Sequence, residues 1–184
     1  MSAKIDLSKF NNAWYKPGGN AISRVIWYFI NASLINSYMP ISSVKLFWLR
    51  LFGAKIGSAV LIKPKVNIKY PWRLKIGDNT WIGEGVWIDN LDDVEIGNNV
   101  CISQGAMLLC GNHDYKKSSF DLITGKIILE DGVWVGAKAV VCPGTTMKTH
   151  SVLTVGSVAS GTLESYSIYT GNKAVKVKQR NVIN

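Results

Sequence analysis

The stretch LLCGNHDYKKSSF, Leu108 to Phe120, holds one of only two histidines in the chain. His113 stands between Asn112 and Asp114, with Cys110 three residues before it. Imidazole is the side chain suited to taking and returning a proton near neutrality, so His113 is a candidate general base. The plain alternative is a hydrogen-bonded loop histidine. A Cys110/His113 nucleophilic pair is conceivable, but a small thiol in an apolar run reads as packing. His150, in KTHSV, reads as a surface turn residue. Two histidines with no CxxC spacing do not make a zinc site, so no metal is expected. No GxxxxGK[ST], GxGxxG or GxSxG occurs, which removes the usual signals for phosphate loops, dinucleotide folds and α/β-hydrolases.

His113 interrupts a counted pattern. Aliphatic residues recur every six positions: Ile56, Ile62, Ile68; Ile76, Ile82, Ile88; Ile96, Ile102, Leu108; then Leu129, Val135, Val141, Met147, Leu153 and Ala159. Between the first three sets the step is eight. Extra residues that return every third hexad must fall at one corner of a three-sided coil. The pattern predicts an all-β fold, a parallel β-helix of triangular section, with each counted residue inward. Glycine after several of them (Gly57, Gly77, Gly83, Gly97, Gly136) is expected to supply the turn conformation. After Leu108 the count resumes only at Leu129, so residues 111–125 are an inserted loop, and a long insertion in a repeat is often functional.

The 184 residues divide into an N-terminal extension (1–53), the β-helix (54–163) and a basic tail (164–184). The extension reads as two helices, about 21–37 and 43–52, the second capped by Ser42 or Ser43 and ended by Gly53. They are expected to cover the open end of the coil or to form a membrane-surface element. Val25–Val44 carries no charge, but its asparagines, serines and Pro40 argue against a membrane span. Residues 20–52 are therefore candidates for peripheral membrane contact only. The three cysteines, odd in number, argue against a disulfide framework, and no secretory leader is read at the start. A cytoplasmic protein, placed at the inner face of the membrane if those helices bind lipid, is the simplest expectation. The net charge, 21 − 12 = +9, favours anionic partners. No nucleic-acid module accompanies it, so no nucleic-acid partner is expected.

The hexads, the GNHDY loop, LEDGVWVGAKAVVCPGTTM and TVGSVASGTL resemble the hexapeptide-repeat acyltransferases. GGNAI, LRLFGAKIG, YPWRLKIGD, ISQGAMLLCGNHDY and TGNKAVKVKQR narrow the resemblance to the colanic acid biosynthesis acetyltransferases of the maltose/galactoside acetyltransferase-type branch. The resemblance implies a left-handed coil, a homotrimer with sites between subunits, acetyl-CoA as co-substrate, a saccharide acceptor and His113 as catalytic base. It places acceptor contacts at Asp89, Asn90, Asn112 and Asp114. It places coenzyme A along Trp134, Gly136, Ala137, Gly156 and Ser157, with Lys176, Lys178 and Arg180 for its phosphates. Two departures from the family pattern stand out. Gly171-Asn172-Lys173-Ala174 replaces GNPA, and Ser160-Gly161-Thr162 replaces TKD, which removes one lysine expected on a phosphate. The same residues fit two other readings: acetylation of a small soluble acceptor such as a free sugar, serine or an antibiotic, and a non-catalytic trimeric scaffold.

Overall fold

A computed structural model describes residues 4–173 and 175–179, the side chain of Lys178 excepted. The six-residue period becomes short parallel strands in three stacks. Lys55–Ile56, Leu74–Ile76, Val94–Ile96, Ile127–Leu129, Thr146–Met147 and Thr162–Leu163 form the first face. Leu61–Ile62, Trp81–Ile82, Cys101–Ile102, Trp134–Val135, Val152–Leu153 and Ser167–Thr170 form the second. Asn67–Ile68, Trp87–Asp89, Met107–Leu109, Val140–Val141 and Val158–Ala159 form the third. The ladders join each coil to the next, so the faces are the three sides of a β-helix.

The counted residues stack in register. Ile62, Ile82, Ile102, Val135 and Leu153 make one inner column. Ile68, Ile88, Leu108, Val141 and Ala159 make another. Of the fifteen counted positions only Ile56, at the end of the coil, is not fully buried. Each buried Ile, Leu, Val or Met contributes about 1.5–3 kcal/mol relative to exposure. A second inward set, Val60, Val66, Val86, Val100, Ala106, Val133 and Ala139, fills the corners.

The expected role of the glycines needs correcting. Gly57, Gly77, Gly83, Gly97 and Gly136 do not have positive φ; the left-handed corners are taken by other residues, among them Ala59, Asn79, Asn99 and Lys138 and the glycines Gly85, Gly105 and Gly132. The first five glycines are required by close approach. A Cβ on Gly77 would stand 2.6 Å from the carbonyl carbon of Gly97, and one on Gly136 2.6 Å from the backbone of Thr154.

The extra residues fall at a single corner, between the third and first faces: 69–73 in the first coil and 90–93 in the second. The insertion leaves from that same corner. Val94–Ile96 still pairs with Ile127–Leu129 across it, so no ladder is broken.

The N-terminal helices close the end of the coil. Helix α1 (Ala21–Ile30) starts at Asn20, whose side chain accepts the N–H of Ser23, and runs into a π turn at Asn31–Ile35. Helix α2 (Ser42–Leu51) follows. Neither serine caps it. Ile41 is the N-cap, and the Ser42 hydroxyl instead accepts the Ile62 N–H at 2.9 Å, tying helix to coil. Gly53 ends the helix at φ +94°. Trp27, Ile35 and Leu49 are buried in the core, and Trp27 Nε1 donates to the Ile68 carbonyl at 2.9 Å. Lys45 is also buried; its ammonium sits on the Lys63 carbonyl at 2.8 Å, and burial lowers its pKa. The coil continues past residue 163, because Ser167–Thr170 pairs parallel with Val152–Leu153. Only Val175–Gln179, antiparallel to it, leaves the repeat. Among the described residues, no helix is long and apolar enough to cross a membrane.

Candidate active site

The insertion folds as a hairpin, Gly111–His113 antiparallel to Leu122–Thr124. Asp114 turns it: its carboxylate accepts the Lys116 N–H at 3.0 Å and its own N–H binds the Asp121 carbonyl at 2.8 Å. Asn112 is exposed, and its side-chain oxygen accepts the His113 N–H.

The imidazole is half-buried and held by backbone. Nδ1 lies 2.9 Å from the carbonyl oxygen of Phe120. A carbonyl only accepts, so Nδ1 carries the hydrogen and Nε2 keeps its lone pair. Phe120 aims this carbonyl from φ +53°, an uncommon conformation for a bulky residue and one that gathers at functional sites. Its ring also stacks flat on the imidazole, centroids 4.3 Å apart. The group that orients His113 is therefore the Phe120 carbonyl. Sequence reading missed it, because a carbonyl carries no residue signature.

The chain's own N-terminus covers the site. Asp6 donates its N–H to the Ser118 carbonyl at 2.8 Å, and Phe10 packs on the His113 ring. The Tyr15 hydroxyl donates to the Leu91 carbonyl at 2.7 Å. Trp72 Nε1 and the Arg73 guanidinium donate to the carbonyls of Pro17 and Lys16. Residues 6–17 thus form a strap along the third-to-first corner. Burial pushes the Tyr15 phenol up, keeping it a donor.

Cys110 lies in the core beneath the hairpin, and burial pushes its thiol up to about 12. It packs rather than attacks. His150 is half-buried and stacks on Tyr166 at 4.9 Å, more enclosed than a surface turn residue.

Asp89 and Asn90 sit one coil below the hairpin, and Asp89 is in register with Leu109. Asp89 is paired with Lys69, its Oδ1 lying 2.9 Å from the ammonium. Asn90 is fully buried, and both ends of its amide hold the backbone of Tyr70, at 2.9 and 2.5 Å. It braces the corner and offers no group to an acceptor.

The residues assigned to coenzyme A gather at the next corner, between the second and third faces. Trp134 is half-exposed on the second face and donates from Nε1 to the Ser103 hydroxyl at 2.9 Å. Gly136 is buried with its N–H on the Leu153 carbonyl. The Ser157 hydroxyl is buried between Thr154 and the Gly171 N–H. The Gly136 N–H and the Ser157 hydroxyl are thus engaged in internal hydrogen bonds. The Ala137 N–H makes no hydrogen bond among the described residues, and Gly156 is exposed at φ +65°. Lys176 is exposed on the strand that edges the second face, and Lys178 pairs there through its backbone with Ile168. Arg180 lies outside the described residues. Among the described residues, no group of three His, Cys, Asp or Glu could hold a metal ion.

No family model matches the chain. It is 35% identical over 176 residues to an Escherichia coli protein named "Putative colanic acid biosynthesis acetyltransferase WcaF", a match covering 95% of this chain and 97% of that one. Among solved structures it resembles a hexapeptide-repeat-containing acetyltransferase of Vibrio cholerae complexed with acetyl coenzyme A. That match has a TM-score of 0.78, 19% identity, and covers 88% of each chain. It also resembles a galactoside acetyltransferase in complex with coenzyme A, with a TM-score of 0.77, 18% identity, and coverage of 87% of this chain and 82% of that one. The common fold is the left-handed parallel β-helix.

Proposed function

The chain belongs to the hexapeptide-repeat acetyltransferases, in the branch of the colanic acid biosynthesis enzymes, and on that premise we propose that it moves an acetyl group from acetyl-CoA to a sugar hydroxyl of a surface polysaccharide or its lipid-linked precursor. The observation that carries the reading is the hydrogen bond from His113 Nδ1 to the Phe120 carbonyl. It leaves Nε2 basic. Nε2 takes the hydroxyl proton as the oxygen attacks the thioester carbonyl carbon. The C–O bond forms, the tetrahedral intermediate collapses, and the C–S bond breaks. The imidazolium returns its proton to the departing thiolate. Transfer is direct, with no acyl-enzyme. A backbone N–H at the second-to-third corner, such as that of Ala137, suits the developing oxyanion.

The acceptor half and the coenzyme half stand at different corners of one coil. The third face separates them by about six residues, on the order of 20 Å of extended chain. This supports a site completed by a second copy, whose coenzyme corner meets this copy's hairpin. A cyclic trimer closes such contacts. The exposed Trp81, Trp134 and Val155 suit a covered surface, while the first face presents Lys75, Glu95 and Lys126 to solvent.

Helix α1 leaves Ile22, Val25, Ile26 and Phe29 exposed in one stripe. Residues 1–54 carry six Lys or Arg and one acid, Asp6. The pairing of apolar stripe and positive charge supports contact with an anionic membrane surface, and so a place at the cytoplasmic face where lipid-linked acceptors reside.

The test is free-thiol release from acetyl-CoA by the purified protein against free sugars and lipid-linked oligosaccharides. Release that needs both acceptor and His113 is expected. No release, together with absent acetyl-CoA binding, would make the protein a scaffold.

A further inference from the structure

Helix α1 does not close fully on the coil. Between α1, its π turn and the third face lies a groove of about 490 Å³, within the roughly 300–1,000 Å³ range of small-ligand sites. Its walls combine flat rings with fixed polar groups. Trp87 is 41% exposed, and Tyr70 is held against Trp72 with its ring nearly parallel at 5.2 Å. Asn31 donates to the Asn67 side-chain oxygen at 2.7 Å and accepts the Ile68 N–H at 3.2 Å. The Asn67 NH2 is then left without a partner among the described residues. The π turn presents Asn31, its i to i−5 bond running from Asn36 to Asn31 at 2.7 Å; such turns recur at functional sites. Asp89 closes the end, its Oδ1 paired with the Lys69 ammonium at 2.9 Å.

We infer that this groove holds a glycosyl unit of the acceptor adjacent to the one that is acetylated. Ring faces suit the C–H face of a pyranose, while an amide and a carboxylate suit its hydroxyls. The walls fit other ligands poorly. A lipid chain would leave the Asn67 NH2 unsatisfied and would cut the Asp89–Lys69 pair off from water. A phosphate would need uncommitted cations, whereas Lys69 is paired with Asp89 and Arg24 donates to the carbonyls of Gly18 and Gly19. The position also fits. The Asp89 carbonyl accepts the N–H of Cys110 at 3.1 Å, three residues before His113. The groove thus ends about one coil spacing, ~4.8 Å, below the catalytic hairpin. The inference rests on the sugar-acceptor reading and adds that the acceptor is at least a disaccharide.

The experiment is saturation-transfer NMR on the full-length protein, with methyl glycopyranosides of glucose, galactose, fucose and glucuronic acid as probes. Transfer to the ring protons of at least one probe is expected. Affinity should fall about tenfold in Trp87→Ala and in Asp89→Asn. It should be unchanged in Phe47→Ala, whose ring is exposed on α2 outside the groove. Thermal melts identify a variant that fails to fold, and the other then decides. No transfer to any probe, or transfer that survives in a folded groove variant, overturns the groove. Acetyl-CoA binding is measured on the same samples. Its absence from the wild type would overturn the acetyltransferase reading instead, and the glycoside result would still stand by itself.

Discussion

The ring of Phe10 lies 5.6 Å from that of His113, tilted by 58°. One hundred and three positions separate them in the chain, and the strap brings them together. With Phe120 stacked on the same imidazole, the ring proposed as the base is packed by two aromatic residues, one from the strap and one from the insertion. An aromatic contact of this kind is worth about 0.5–1.5 kcal/mol, a factor of about two to ten in rate if it acts on the transition state. Phe10→Ala should therefore lower kcat by about that factor and leave KM for acetyl-CoA unchanged. The chain has only two histidines, so NMR of the imidazole protons reads the effect directly. The His113 signal should move and the His150 signal stay.

His113→Ala should reduce kcat/KM for the acceptor by roughly 10²–10⁴, the range for loss of a general base. Acetyl-CoA affinity should be kept, since the coenzyme residues stand at another corner. Titration calorimetry beside steady-state kinetics separates the two quantities. Equal loss of both would mean that the hairpin had collapsed.

Cys110 should be chemically silent. Its thiol is buried and pushed up to about 12, so little thiolate forms near neutrality. Iodoacetamide should leave it unlabelled in the folded protein, as mass spectrometry of tryptic peptides would show. Cys110→Ala should keep kcat within about twofold while costing on the order of 1 kcal/mol of stability through the space it leaves.

Asp78 predicts a pH dependence. Its carboxylate accepts the N–H and hydroxyl of Ser58, at 2.6 and 3.0 Å, and these bonds hold its pKa below the ordinary value. A depressed folded pKa stabilises fully above the unfolded value, about 3.9, and the contribution is lost as pH falls through the folded one. Asp78→Ala should melt below the wild type at pH 7. The gap should close in acid below about pH 4. A gap that persists unchanged there would point to lost packing instead.

The membrane proposal is tested by flotation with vesicles of phosphatidylglycerol and phosphatidylcholine. The wild type should float with the anionic vesicles, and float less as salt rises. Ile22→Asp combined with Phe29→Asp should stay at the bottom. Retention of the double variant on vesicles would assign the stripe to contact between copies of the chain.

Much of the coil is legible in the sequence because each hexad repeats the same physical demand. A residue that must be apolar every six positions, with two extra residues after each of the first two sets of three, can be counted. What one sequence hides is what backbone does. Phe120 acts through its carbonyl, and Ser42 ties a helix to the coil instead of capping it. Gly57, Gly77, Gly83, Gly97 and Gly136 answer to the neighbouring coil rather than to their own φ. Asn90 and Ser157, expected from the resemblance to touch ligands, hold backbone at two corners through internal hydrogen bonds. The strap was illegible for a different reason: residues 6–17 carry no period, and their partners lie one to three coils away.

The slip in the count and the catalytic hairpin leave the coil at one edge, and across that edge Val94–Ile96 still bonds to Ile127–Leu129. Within the coil, the parallel strand pairing runs along the axis. A segment of any length can therefore be spliced into the edge without altering the pitch of the coil. The molecule behaves as a spindle with one open seam: length added at the seam reshapes the reactive pocket, while the rest of the shaft keeps its dimensions.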